Sequence, residues 1–359
     1  MKRDYVTVIG AGIIVALAAL LLVYLGNPAN TGLCIACFER DIAAALGLHD
    51  FRQMAWLRPE IPGILLGALA AAVATREFRP TAGSAPATRF LLGMMVAVGA
   101  MAFLGCPTRM ALRIAGGDLN AVVGLAGFVA GIAIGVRLLV TGFNLGRAST
   151  QWRIEALILP VLMLALVVLA AVRPMFKPAG PIFMGTTGYP GCAGTPVGIG
   201  MGVVLCLAAG VVVGIVAQRA RLCFVGGIRD FLLIRSGLLL AGFGTVVAVA
   251  LTGNLVLGRF HPGFANQPMA HTAHAWNFLG MALVGLASVL LGGCPFRQLV
   301  LAGSGSGDAA VAVLGMTVGA ALAHNCNIVK AASPYGKAAV VACLCVAIVI
   351  GWINRDRQE

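Results

Sequence analysis

The chain has 359 residues, of which 60% are hydrophobic and only 10% charged, and its mean hydropathy is +0.97. Soluble domains carry about 25% charged residues, so this composition excludes a soluble protein and predicts an all-α polytopic membrane protein. The formal charge of +13 fits loops that face the anionic headgroups of a lipid bilayer. It does not indicate nucleic-acid binding, because the sequence contains no soluble basic domain that could provide it.

Ten apolar runs are candidates to cross the hydrocarbon core of about 30 Å. The first is too long for the core of a signal peptide and is not followed by a small-residue cleavage pattern, so we expect a retained span. Several runs are short, which indicates helices that end inside the protein. The predicted spans are 6–25, 61–75, 90–104, 119–141, 154–172, 197–217, 236–257, 276–292, 308–324 and 338–353.

Two motifs occur twice, in the same order and at nearly the same separation. "LCIACFERD" at 33–41 is repeated as "LCFVGGIRD" at 222–230, and "LGCPTRMALRIAGGD" at 104–118 is repeated as "GGCPFRQLVLAGSGSGD" at 292–308. Such agreement indicates an internal duplication. The repeated residues of the first motif are Cys34, Arg40 and Asp41, matched by Cys223, Arg229 and Asp230. The second carries Cys106, Pro107, Arg109 and Asp118 in the first half, and Cys294, Pro295, Arg297 and Asp308 in the second.

The duplication predicts three parts: a first transmembrane repeat over 1–173, a Pro/Gly-rich connecting segment over 174–196 and a second repeat over 197–359. Each repeat holds five spans and two short motif elements. The stretch 295–302 could form only about two helical turns, roughly 12 Å, so we interpret the four motif elements as short re-entrant helices. An odd number of spans turns the second copy over, which predicts an inverted repeat with a substrate site near the midplane.

The charge distribution predicts that both termini are cytoplasmic. By this assignment, the side that holds the termini carries the larger share of the 25 Lys and Arg residues. The elements that begin at Cys34 and Cys106 then enter the membrane from outside, and those that begin at Cys223 and Cys294 enter from inside. Two funnels would meet at the centre.

Proline at the first turn of a helix costs no hydrogen bond, so Pro107 and Pro295 place Cys106 and Cys294 at helix N-caps. Exposed N–H donors and the helix dipole make such a position suitable for an anion. A cysteine there has its thiolate favoured and offers a polarizable sulfur to a soft atom such as sulfur or selenium. The alternative for any single cysteine is a small buried hydrophobic residue, which we expect for the cysteines outside the motifs, namely Cys206, Cys343 and Cys345.

The Arg–Asp pairs of the first motif place charges near membrane depth, where ionisable groups are paired or functional. Adjacent residues on a helix point apart, so we expect each to find a partner elsewhere. The candidate partners are Arg109, Asp118, Arg297 and Asp308. We favour a structural clamp that holds the short helices over direct contact with the substrate.

Cysteines outside the repeat leave further alternatives open. Cys34 and Cys37 form a C-x-x-C pair, which would suit thiol–disulfide exchange, but the βαβ context of thioredoxin-like sites is missing. A zinc site would need four ligands, and we predict no metal. Cys192 lies in the connecting segment, as an entrance thiol or as loop packing, and Cys326 could line the mouth of the pathway.

At these motifs the chain resembles the YeeE/YedE family of membrane transporters for sulfur-containing compounds, and within it the YedE branch of selenium transporters. The resemblance implies an hourglass-like fold with a constricted centre and uptake of thiosulfate-like species. It also implies cysteines that pass the substrate on through S–H contacts, a role that falls on Cys34, Cys106, Cys223 and Cys294.

The sequence therefore predicts a permease, not an enzyme, in a bacterial inner membrane, for a small inorganic selenium or sulfur species. It needs no cofactor, since the chain has no nucleotide-binding motif. We expect cytosolic enzymes as partners, reached through a small cytosolic sulfur-carrier protein. The rival hypotheses are a membrane thiol oxidoreductase that uses Cys34 and Cys37, and a plain channel in which the cysteines are dispensable.

Overall fold

The computed structural model describes residues 2–50, 55–172, 198–329 and 333–355, which contain fourteen α-helices. The first half holds α1 (Lys2–Tyr24), α2 (Ile35–Ala45), α3 (Glu60–Ala74), α4 (Pro86–Phe103), α5 (Pro107–Ala115), α6 (Leu119–Val140) and α7 (Arg153–Val172). The second half holds α8 (Gly198–Ala220), α9 (Phe224–Ile234), α10 (Leu238–Val256), α11 (His274–Leu291), α12 (Pro295–Gly303), α13 (Gly307–Asn325) and α14 (Pro334–Ile353). Two short strands, β1 (Thr81–Ala82) and β2 (Ser149–Thr150), pair antiparallel.

The helices confirm an all-α polytopic membrane protein. Among the described residues, nine helical segments are long and apolar enough to cross a membrane, and α3 is a shorter apolar helix. Each of the ten predicted spans coincides with one of these helices. The four motif elements are the short helices α2, α5, α9 and α12. We call these four the half-helices.

The helices of the two halves follow the same order, α1 to α7 and α8 to α14. The main packing contacts join a helix of one half to a helix of the other half. α6 packs on α11 of the second half, and α4 packs on α13. Gly127 lies so close to the carbonyl of Phe278 that an added Cβ would collide with it, and its repeat equivalent Gly315 meets the carbonyl of Phe90 in the same way. Small residues at such crossings let helix backbones approach closely in membranes.

The loops also join the two halves. The N–H of His261 donates to the carbonyl of Gly116 at 3.0 Å, and the N–H of Arg79 donates to that of Ser304 at 3.0 Å. Each connecting loop is therefore bonded to the end of a half-helix in the other half. With five spanning helices per half, the second copy is inverted relative to the first.

Candidate functional site

The four repeated cysteines occupy equivalent positions, because each is the N-cap of a half-helix. Cys34 caps α2, Cys106 caps α5, Cys223 caps α9 and Cys294 caps α12, and all four are buried. A proline opens both α5 and α12, as the sequence predicts. These prolines are thus at the position where a missing N–H costs nothing.

The N-cap cysteines lie in two pairs, one in each half. The Sγ atoms of Cys223 and Cys294 are 3.9 Å apart, and Cys34 and Cys106 are the N-caps of the matching half-helices α2 and α5 in the first half. All four thiols are free. We call them the first thiol pair, Cys34 and Cys106, and the second thiol pair, Cys223 and Cys294.

Backbone N–H groups point at one sulfur of each pair. The N–H of Cys37 donates to Cys34 Sγ at 3.4 Å, and the N–H of Gly226 donates to Cys223 Sγ at 3.2 Å. These donors belong to the first turn of a helix, where the dipole favours negative charge. Both pairs can therefore stabilise a thiolate or a bound anion.

The backbone bends sharply just before α5 and α12. Leu104 (φ +62°) and Gly292 (φ +84°), which are equivalent residues of the two copies, both adopt the left-handed conformation there. Glycine takes this conformation without strain, whereas leucine does not. The glycine-rich sequence before Cys294 thus has a specific use, which is to turn the chain from a spanning helix into a half-helix.

The arginine of the second motif is fully engaged in the first half. Arg109 is buried, its Nε donates to the carbonyl of Asn30 at 3.3 Å and its Nη2 donates to that of Met269 at 3.2 Å. Its Nη1 donates to the carbonyl of Leu104 and lies 3.7 Å from Cys37 Sγ. Arg109 therefore ties α5 to two loops and to α2.

The equivalent Arg297 in the second half is not engaged in this way. Its Nη1 is buried and has no hydrogen-bond partner among the described residues. This arginine lies in the first turn of α12, three residues after the N-cap Cys294 of the second thiol pair. A cationic N–H donor left open beside a thiol pair is a group that can bind an anion.

The Arg–Asp pairs correct one prediction. Arg40 does not seek a distant carboxylate, since its Nη2 lies 2.6 Å from Oδ1 of the adjacent Asp41. Arg229 binds Asp230 in the same way, at 2.8 Å. The expectation of distant partners was wrong for both arginines because it considered only the directions of the Cβ atoms, whereas an arginine side chain is long enough to fold back onto its neighbour.

Asp41 has a second partner that the sequence did not reveal. Arg58, in the loop before α3, is 1% exposed and places its Nε 2.6 Å from Asp41 Oδ2. Its Nη1 donates to Asn27 Oδ1 at 2.7 Å, and its guanidinium carbon lies 4.6 Å from the centre of the Phe38 ring. This network joins the end of α1, the half-helix α2 and the loop that leads to α3.

The two aspartates of the second motif hold backbone rather than substrate. Asp118 caps α6 by accepting from the N–H of Asn120 at 2.9 Å, and it binds Arg113 of α5 at 2.6 Å. Asp308 in α13 accepts from the N–H of Gly83 at 2.9 Å and lies 3.7 Å from Arg89 Nε. Both aspartates therefore link elements around a half-helix.

Glu39 is a charged residue of the site that the sequence analysis overlooked. It is 2% exposed in α2, and neither of its carboxyl oxygens has a hydrogen-bond partner among the described residues. Its position in the second copy is taken by Ile228. This difference between the copies was the available signal, because a carboxyl group that breaks an apolar repeat in a membrane usually serves a function.

The remaining candidates are Cys326, Cys192 and a loop histidine. Cys326 is the exposed C-cap residue of α13. Cys192 and the connecting segment around it lie outside the described residues. Nε2 of His271, in the loop before α11, donates to the carbonyl of Ala102 at 2.8 Å, and burial lowers the pKa of this histidine.

A cavity of about 420 Å³ opens between the ends of α1, α5 and α10. Asn30 lines it, and the carbonyl of the same residue accepts from Arg109. Arg259, His261 and Gln267 provide polar groups on the other wall. The cavity is thus connected through Asn30 to the arginine beside the first thiol pair.

Comparison with known proteins places these features in context. A family model described as sulphur transport matches residues 1–134 and 219–344, which contain all four half-helices. A comparison with curated proteins gives no match. The family match does not distinguish the YedE branch from the rest of the family.

Proposed function

This chain belongs to the sulphur transport family, and from that membership we propose that it is a permease that imports a small inorganic selenium- or sulfur-containing species, of the thiosulfate or selenite kind. The substrate passes along a central pathway that includes the first and second thiol pairs. The observation that carries the proposal is that free, buried thiols from both inverted halves cap the half-helices at equivalent positions.

The chemistry of the thiol pairs suits a soft anion. A polarizable sulfur and its S–H donor interact well with the terminal sulfur or selenium of such a species. Backbone N–H groups at Cys34 and Cys223, and the open donor of Arg297, offset the negative charge. Each contact is a hydrogen bond, so the substrate moves on without a covalent bond and without an oxidant.

Orientation follows from the charge distribution. We place the protein in a bacterial inner membrane with both termini in the cytoplasm, since the side of the termini carries the excess of Lys and Arg. The cavity near Asn30 is then an outer vestibule, and its Arg259 attracts anions. The substrate meets the first thiol pair before the second, and cytosolic enzymes, reached through a small sulfur-carrier protein, consume it.

The test is uptake by cells that lack their own importers of sulfur and selenium compounds. Radiolabelled thiosulfate and selenite are supplied separately, to the wild type and to Cys106→Ser and Cys294→Ser. We expect uptake of one label, reduced about tenfold or more in each variant, because serine replaces the polarizable sulfur that suits a soft anion with a hard oxygen. Cys206→Ser is the matched control, since Cys206 is a buried cysteine of α8 outside the repeated motifs.

Transport of neither label, or transport that both variants leave unchanged, contradicts the proposal. A membrane thiol–disulfide oxidoreductase is the second candidate, and the contact of Arg109 Nη1 with Cys37 Sγ favours it, because a cation stabilises a thiolate. Cys37→Ser separates the two hypotheses. An oxidoreductase loses its activity in that variant and tolerates Cys294→Ser, whereas a permease behaves in the opposite way.

A further inference from the structure

The buried carboxyl group of Glu39 has no role in the pathway described so far. It lies in a half-helix whose residues are all buried, and both its oxygens lack hydrogen-bond partners among the described residues. An ionised carboxylate without a partner is very costly to bury, whereas a neutral carboxylic acid costs much less. The environment of Glu39 therefore favours the form that carries a proton.

Glu39 lies in the half-helix that carries the first thiol pair's Cys34 at its N-cap. Cys37, two residues before Glu39, lies 3.7 Å from Arg109 Nη1 of α5, the half-helix capped by Cys106. α2 packs against α3, α4, α12 and α13. The other charged or titratable groups on and around these helices interact with residues other than Glu39. Those groups are Cys37, Arg40 and Asp41 on α2, its N-cap Cys34, His49 and Arg58 between α2 and α3, Glu60 on α3, Arg89 on α4, Arg109 and Arg113 on α5, Arg297 on α12, and Asp308 and His324 on α13.

Most of these groups have a partner other than Glu39. Arg40 and Arg58 bind Asp41, Arg113 binds Asp118, and Arg89 lies beside Asp308. Glu60 accepts from Asn27 at 3.1 Å. Arg109 donates to backbone carbonyls, and the rings of His49 and His324 stack on each other. No cation in this set forms an ion pair with Glu39 in the described part of the chain.

The second copy shows that the half-helix does not need this carboxyl group. α9 is built with Ile228 at the position equivalent to Glu39 and has the same length as α2. A carboxyl group that only one copy carries is not part of the shared scaffold. It serves the first half alone, in the half-helix that Cys34 caps.

We infer that Glu39 binds a proton that is transported together with the anion. The inference rests on the proposed function and adds the coupling ion. An anion at the first thiol pair repels an ionised Glu39 and so favours its neutral form. By linkage, a protonated Glu39 favours the anion by the same factor. The proton binds a carboxylate oxygen of Glu39 from the outer water and leaves to the inner water, and no bond of the substrate changes.

Two assays on the purified full chain in lipid vesicles separate transport from coupling. The first is exchange of radiolabelled thiosulfate, or of selenite, at equal concentrations on both sides and without a pH gradient. The second is accumulation of the same label driven by an acidic outside, with the membrane potential held at zero by a potassium ionophore. One pH unit supports up to about tenfold accumulation for each proton carried.

We expect Glu39→Gln, which resembles the protonated acid, to keep exchange within about twofold of the wild type and to lose the accumulation driven by pH. Glu155→Gln is the matched control, because it makes the same change at an exposed carboxyl group of α7. It should accumulate label as the wild type does. A pH dye trapped in wild-type vesicles should also report acidification when label is added outside, which tests coupling without any variant.

Accumulation by Glu39→Gln to the wild-type ratio overturns the inference, as does wild-type exchange without acidification of the vesicle interior. The proposed function would survive both results. Absence of exchange in the wild type with either label contradicts the proposed function itself, and the inference falls with it. Failure of the Glu39→Gln variant to fold leaves the dye measurement on the wild type to decide.

Discussion

The half-helices of the two halves have the same backbone arrangement, but their charged side chains have different partners. In the first half, Arg109 donates to three backbone carbonyls, and Asp41 binds two arginines. In the second half, the equivalent Arg297 keeps an open donor, and Asp230 binds the adjacent Arg229. Duplication therefore preserved the positions of the charged groups while their contacts diverged.

The two halves also differ in how deeply their Arg–Asp pairs and half-helices are buried. Asp41 and both its arginines are at most 5% exposed, whereas the side chains of Arg229 and Asp230 are 26% and 24% exposed. All of α2 is buried, but in α9 the buried residues are confined to the first five, Phe224 to Ile228. The first half is therefore held more tightly at its Arg–Asp pair. The half-helices of each half keep one buried guanidinium nitrogen without a partner among the described residues, Nη2 of Arg113 and Nη1 of Arg297, and of these two Arg297 lies in the first turn of its half-helix, beside the N-cap cysteine.

The largest expected difference between the halves is in the stability cost of removing their equivalent aspartates. Asp41→Ala leaves Arg40 and Arg58 buried without their carboxylate, and we expect a loss of about 3–5 kcal/mol in the free energy of unfolding. Asp230→Ala breaks a partly exposed pair, so its expected cost is at most about 1 kcal/mol. Unfolding in detergent with a chemical denaturant measures both variants. Equal losses would show that the halves are equally anchored.

The matched arginines sharpen the comparison at the level of binding. Arg297→Met removes one charge-assisted contact to the anion, worth about 1.5–3 kcal/mol, so the KM for uptake should rise about tenfold to hundredfold. Its stability should hold or increase, because a buried unpaired donor is removed.

Arg109→Met should behave differently, because it leaves the carbonyls of Asn30 and Met269 without their donor. We expect it to lower the free energy of unfolding by about 1–3 kcal/mol for each carbonyl left unsatisfied. Uptake kinetics and denaturant unfolding on the same preparations separate the two effects. A rise in KM confined to Arg109→Met would reverse our assignment of the binding half.

The backbone plan was predictable from the sequence because its signals are local. Apolar length located the ten spans, and the Cys-Pro pairs located the N-caps of α5 and α12. The duplication was visible as a constant spacing between motifs, so the matching of the halves did not require a structure.

The charge network was not predictable, because it depends on contacts between distant parts of the chain. Arg58 lies in a loop without a repeat partner, well separated in sequence from both Asp41 and Asn27. Nothing in its neighbourhood indicates that it is buried. The open donor of Arg297 is equally invisible, since the two copies of Gly-Cys-Pro-x-Arg read the same and differ only in what surrounds the guanidinium.

The last prediction concerns the scaffold that the two halves still share. Gly131 faces the carbonyl of Ala282, and its equivalent Gly319 faces the backbone of Met94, each too close for a Cβ. Alanine at either site forces the helices apart at a cost of about 1–3 kcal/mol, of which about 1 kcal/mol is regained through helix propensity.

Gly131→Ala and Gly319→Ala should therefore lower the free energy of unfolding by similar amounts, of up to about 2 kcal/mol. Gly244→Ala is the control, because open space surrounds that glycine in α10 and the propensity gain should leave stability unchanged or higher. Unequal losses at Gly131 and Gly319 would extend the difference between the halves from their charges to their packing. Equal losses would confine the difference between the halves to the charged groups of the half-helices.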